Sequence, residues 1–192
     1  MAEIKSALEL ALEKAERYGK ASKEEIAIAQ SQEQGCQLAV KFLKGEGELA
    51  AELQNLAPET REAVRTAVKE VFLRNIALPR NSETDDRQDR ALEGLTLVAS
   101  QPKEMARCRA EFQQLLQQFF QYRQNALQQL KARFSQSLGQ MQRAVEAKFG
   151  QRVRLEVEHL PQFQEEWRRF YGQLTEQFEP LLEDLKERMR RA

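Results

Sequence analysis

Apolar residues recur at helical spacing along almost the whole chain, and one stretch dominates. Pro102 to Phe149 has no proline after its first position and one glycine, Gly139. Within it Met105, Cys108, Phe112, Leu115, Phe119, Tyr122, Ala126, Leu130, Phe134, Leu138, Met141 and Val145 follow one another by three or four residues. That pattern predicts a single helix, which at 1.5 Å per residue would run about 70 Å. The mean step is about 3.64, nearer to a straight helix than to the 3.5 that a lasting left-handed coiled coil requires. Met105 to Ala126 keeps coiled-coil spacing, and the later steps lengthen.

A second stripe, richer in aromatics, closes the chain: Leu160, Phe163, Trp167, Phe170, Tyr171, Leu174, Phe178, Leu181, Leu185 and Met189. It predicts a last helix beginning at Leu160–Pro161, antiparallel to the end of the long one, with Phe134, Leu138, Met141 and Val145 facing the aromatic side. Pro180 should kink or divide this helix, because its ring removes a backbone donor and crowds the preceding turn. Between the two helices, Arg152 to Glu158 alternates polar and apolar residues, which is strand period; a strand here would need Leu95 to Val98 or the same segment of a second subunit as partner, and an extended turn is the favoured reading. The last helix, about 46 Å long, is roughly 25 Å shorter than its partner. In this register the uncovered length is Met105 to Phe119. Met105, Phe112, Leu115 and Phe119 are therefore the candidate interaction surface, to be covered by N-terminal helices or by a second copy in a homodimer.

The first hundred residues read as shorter helices. Ala2 to Tyr18 is amphipathic, with Ile4, Leu8, Leu12 and Tyr18 on one face, and Gly19 is a stop signal. With Lys20 just past the stop, its polar side mixes four basic and four acidic residues, unlike the basic bias of a membrane-surface helix. Ser22 and Glu25 have capping-box spacing and open a helix that ends near Lys44, before Gly45 and Gly47. It carries Ile26, Ala29, Leu38, Val40 and Phe42, with small residues Ala27, Ser31 and Gly35 that allow close helix approach. A short helix over Glu48 to Leu56 follows. Pro58 then opens another, with Val64, Val68, Phe72 and Ile76 on one face, ending at Leu78–Pro79. Arg80 to Arg90 is polar throughout, a linker or exposed helix start, before a short helix holding Leu92, Leu95, Leu97 and Val98. The expected architecture is all-α and elongated: an N-terminal multi-helix region, 1–101, and a long antiparallel helical hairpin, 102–192.

Composition narrows function mainly by exclusion. The chain has 30 basic and 30 acidic residues, so net charge selects no partner class. Residues 1–60 carry a net charge of −4 and residues 102–150 a net of +5. The mildly basic long helix supports one alternative, a nucleic-acid-associated helical protein using Arg107, Arg109, Arg123, Lys131, Arg133 and Arg143. These positions do not share a helix face, which counts against it. Eleven glutamines between Gln113 and Gln142 favour helix without adding charge, and are read as a solvated face.

His159 is the only histidine, so a multi-histidine metal site and a paired Glu-x-x-His di-iron site are excluded. Cys36 and Cys108 sit in apolar helical settings and are expected to be buried, reduced thiols. No nucleophile elbow, phosphate loop or dinucleotide fingerprint occurs, and no catalytic carboxylate pair stands out. No cofactor and no metal is expected. No run of eighteen apolar residues or cleavable leader is present, so the expected compartment is cytoplasmic, with no membrane association.

Two segments carry a resemblance. Glu3-Ile4-Lys5-Ser6-Ala7-Leu8-Glu9-Leu10-Ala11-Leu12-Glu13-Lys14 and Pro161-Gln162-Phe163-Gln164-Glu165-Glu166-Trp167-Arg168-Arg169 resemble a set of uncharacterised, soluble bacterial helical proteins. The resemblance implies a bacterial helical protein and brings no activity. The expected function is non-enzymatic: a helical scaffold or protein–protein interaction protein that pairs with itself or with another protein.

Overall fold

The computed structural model describes residues 23–79, 86–149 and 156–192. Every element among them is helical, as the periodicity predicts. The predicted helix Ala2–Tyr18, the Ser22 cap and the alternating Arg152–Leu155 lie outside the described residues, as do the side chains of Met141 and Val145. The chain forms two compact units that divide between Phe72 and Leu73, not at residue 101.

The first unit holds α1 (Lys23–Lys44), α2 (Leu49–Gln54) and α3 (Pro58–Arg74), the last crossing the boundary at its end. The stop after Lys44 is a Schellman motif. Gly45 takes φ 81°, its N–H bonds Phe42 O at 2.9 Å, and the Glu46 N–H bonds Lys41 O at 2.9 Å. Only glycine enters that backbone region without a Cβ penalty. Arg61 on α3 donates to the carbonyls of Gln54 and Leu56, both at 2.9 Å, satisfying the C-terminal end of α2. The buried side of α1 runs through Ser31, Gly35, Leu38, Ala39 and Leu43; Ile26 and Val40 face water. Gly35 meets α3 at Val64, Ala67 and Val68, and Phe42 meets Phe72 edge-on at 5.6 Å. The small residue thus permits a close helix crossing, as its place in the sequence suggests.

The second unit holds α4 (Asp86–Val98), α5 (Pro102–Phe149), a 3-10 turn (Val157–His159) and α6 (Pro161–Arg191). Both long elements have the predicted bounds. Helix α4 belongs here because Ala91, Leu92, Leu95 and Val98 are buried and it packs on α5. Pro180 does not divide α6. The carbonyl it leaves without an N–H partner is that of Glu176, and both residues are exposed, so water serves it.

The hairpin register differs from the sequence expectation. Phe134 meets Phe163 at 5.6 Å, Phe119 meets Phe178 at 5.4 Å and Tyr171 at 6.1 Å, and Ala192 O accepts from Gln101 N–H at 2.6 Å. Helix α6 therefore covers the first thirty-odd residues of α5, and the stretch beyond Leu138 extends past the start of α6. The physical reason is the connection. The seven steps from Gly150 to Val157 could reach roughly 24 Å, whereas Leu138 to Phe149 rises only about 16 Å. The chain can thus come back far enough for Val157 to pack with Phe134, Leu138 and Phe163 before α6 begins.

The stripes shift accordingly. Tyr122 is 60% exposed and Leu181 53%, while Leu182 is buried. The buried or half-buried line on α5 steps through Phe119, Arg123, Leu127, Leu130, Phe134 and Leu138. On α6 it steps through Phe163, Trp167, Tyr171, Leu174, Phe178, Leu182, Leu185 and Met189. Steps of four, four and three make an 11-residue repeat, which does not sustain a left-handed supercoil. Gly172, in mid-α6, would meet nothing within 4 Å if given a Cβ. Gly172→Ala should therefore stabilise the second unit by about 0.5–1 kcal/mol, read as a rise in the urea midpoint.

Candidate functional site

Two places on the second unit concentrate chemistry. The first joins the end of α6 to the start of α5. Arg188 donates from Nη1 to Glu111 Oε2 at 2.5 Å and from Nη2 to Glu111 Oε1 at 2.9 Å, and Nη2 lies 3.4 Å from Glu104 Oε1. This fork matches a planar guanidinium to a carboxylate. Cys108 is buried beside it; burial pushes its thiol pKa up, and Arg188 opposes that shift. Ser100 Oγ donates to Ala192 O at 2.9 Å, alongside the Gln101 bond. These contacts fasten two helix ends beside an open groove of about 220 Å³ that Glu111, Leu115, Asp184 and Arg188 line.

The hydrogen bond from Arg188 holds the Glu111 carboxyl below its usual range. A carboxyl depressed in the folded state adds stability above its unfolded pKa and loses it as pH falls through the folded value. The stability difference between wild type and Glu111→Gln should accordingly be full above about pH 5 and shrink steadily below about pH 4. Urea titrations at stepped pH would read it; a pH-independent difference would show that the fork adds nothing through charge.

The second place is an open groove of about 470 Å³ between α5 and α6, bordered by the 3-10 turn. Leu127, Phe163, Trp167 and Tyr171 form its apolar wall, and Lys131, Glu158, Gln164 and Arg168 its polar edge. The wall follows from spacing: Phe163, Trp167 and Tyr171 lie four residues apart and stack along one face of α6. Trp167 also stacks on Phe170 at 5.8 Å. Tyr171 Oη donates to Pro79 O at 3.0 Å, and Arg123 lies over the Tyr171 ring, 5.9 Å from its centroid. Lys131 and Glu158 pair at 2.6 Å, which lowers the Glu158 pKa.

The residues picked as an interaction surface are interior. Met105 and Phe112, Leu115 and Phe119 are all buried within the second unit, because α6 covers this end of α5. With that face covered, the gap that motivated a homodimer is absent. Cys36, expected to be buried, is exposed; Cys108 is buried as expected. Among the basic residues proposed for nucleic acid, Arg107 pairs with Glu104, Lys131 with Glu158 and Arg133 with Glu166, and Arg123 covers Tyr171. Arg143 lies outside the described side chains. The nine described glutamines of the long helix are exposed, as expected of a solvated face. His159 is an exposed turn residue 3.7 Å from Glu156. Among the described residues no group of three or more His, Cys, Asp or Glu is placed to hold a metal, and no helix is long and apolar enough to cross a membrane. Sequence reading missed the groove because it treated Trp167 and Tyr171 only as core; the signal was Arg168, a cation set directly beside the chain's one tryptophan.

Residues 50–191 match a family of unknown function, DUF6657, and the chain belongs to that family. The match starts inside the first unit and takes in the second through Arg191. It includes Pro161–Arg169, one of the two segments that suggested an uncharacterised helical family, and leaves out Glu3–Lys14. No curated protein matches the chain, and no solved structure does.

Proposed function

We propose that this DUF6657 protein works without catalysis, as a helical association module in the cytoplasm of a bacterium, and that its partner is a different protein. The observation that carries this reading is the open aromatic groove of the second unit. A half-buried tryptophan and tyrosine beside unmatched basic charge is the composition in which binding energy concentrates at interfaces. Both groove walls are helices, held together on either side by the Phe119–Tyr171 and Phe134–Phe163 ring contacts, so little ordering opposes binding. Self-association loses its motive once Met105 to Phe119 is interior, and the nucleic-acid reading is weakened by the internal partners of its basic residues.

Crosslinking in the source cells, followed by isolation of the full chain, tests the proposal. The expected product is a heteromeric species with one protein partner in near-stoichiometric amount, while the purified chain alone scatters light as a 22.3 kDa monomer. A stable dimer of the pure chain would overturn it. So would co-purifying nucleic acid whose binding falls steeply with added salt.

A further inference from the structure

The association reading, on which this inference rests, leaves the partner's chemistry open; charge and shape at the groove narrow it. Lys131 and Glu158 neutralise one another at the edge. Arg168 is exposed, on the groove, and has no ion pair among the described residues. Arg123, over the Tyr171 ring, has its Nε shut off from water with no hydrogen-bond partner. The groove is thus an apolar wall with an unmatched positive edge. Its neighbourhood indicates what shape fits. Helix α4 of this chain already lies on α5, and the segment leading to it is tied to the groove by the Tyr171–Pro79 hydrogen bond. The groove is the next length of the same hairpin, and among the described residues no helix lies over it. A groove between two helices accepts a third by packing the ridges of its side chains into the groove.

We propose that the groove receives an amphipathic helix of another protein, seating a bulky apolar side chain against Leu127, Phe163 and Trp167 and bringing a carboxylate on its flank to Arg168. The carboxylate meets a charge that lacks a partner, so the sign of the flank sets specificity. The same charges speed encounter at low salt.

Trp167 is the only tryptophan in the chain, so its fluorescence reports the groove directly. The probes are two tryptophan-free synthetic helices of about 18 residues, five turns, with one identical leucine face flanked by glutamate in one and lysine in the other. The glutamate peptide should change the emission of the full-length protein saturably and bind about ten-fold or more tighter than the lysine peptide. Arg168→Glu should abolish that preference, and Arg109→Glu, an equal charge change at an exposed site on α5 away from the groove, should leave it intact. Circular dichroism of both variants checks that the helices persist. Equal binding of the two peptides, no change in emission, or an equal effect of both substitutions would overturn the proposal. Emission that depends on protein concentration without peptide would also overturn it, since a second copy would then fill the groove. A crosslinked cellular partner that leaves Trp167 emission unchanged would sink this inference while leaving the association reading intact.

Discussion

Phe119→Ala should lower the unfolding free energy of the second unit by about 3–5 kcal/mol. The ring is fully buried and lies edge-on to Phe178 at 5.4 Å, Tyr171 at 6.1 Å and Phe120 at 6.3 Å. Truncation removes its transfer energy and leaves a cavity among aromatic rings. Collapse of that cavity is opposed on both sides. Below it the Arg188–Glu111 fork fixes the helix ends, and above it Phe134 and Phe163 are in contact. Aromatic pair terms of about 0.5–1.5 kcal/mol each are lost as well. Urea unfolding followed by Trp167 fluorescence reports this unit, and the midpoint should fall with the slope unchanged. Leu181→Ala, largely exposed, should cost well under about 1 kcal/mol, and Tyr122→Ala, 60% exposed but edge-on to Phe178 at 6.0 Å, about 1 kcal/mol, although the sequence stripes treat both as equivalent to buried positions. A Tyr122→Ala cost equal to that of Phe119→Ala would mean that Tyr122 belongs to the buried face of α5.

That comparison also locates what the sequence could and could not say. The bounds of α5 and α6 were legible because Pro102 and Pro161 mark helix starts, and apolar spacing is continuous between them. The buried face was legible only to within one position. Tyr122 and Arg123 are neighbours, as are Leu181 and Leu182, and a step of three or four is equally helical. The choice between them is made by the partner helix, which holds an 11-residue rhythm along the hairpin. Register was not legible at all. Nothing in Gly150 to Leu160 states how far back the chain returns before Pro161, and a shift of a few turns exchanges covered surface for uncovered. The candidate surface Met105–Phe119 was lost through that single unknown. The groove went unread for a related reason: its wall joins Leu127 to Trp167, forty residues apart in sequence, and only the register brings them together.

In the first unit, Gly35→Val should cost about 3 kcal/mol, the upper end of overpacking penalties. A Cβ at this position would stand 2.5 Å from Ala67 Cβ, 2.8 Å from Val64 O and 3.2 Å from Val68 N. Two of these three neighbours are backbone atoms of α3, so no side-chain rotation relieves the contact, and α1 must move away from α3. The effects of the smaller change compete. Alanine in a helix interior is favoured over glycine by about 1 kcal/mol. Gly172→Ala realises that gain because its surroundings are empty. At Gly35 the contact with a fixed carbonyl outweighs it, so Gly35→Ala should be net destabilising by about 1 kcal/mol. Valine adds two carbons and a stiff χ1, and recovers little propensity. Separation of the helices would also pull Phe42 from Phe72. Trp167 lies in the other unit and should not report the loss. Amide hydrogen exchange of residues 31–43 should, with protection falling there while Phe163 to Met189 keeps its own. A Gly35→Val protein with unchanged protection over 31–43 would mean that α1 and α3 do not cross at this residue.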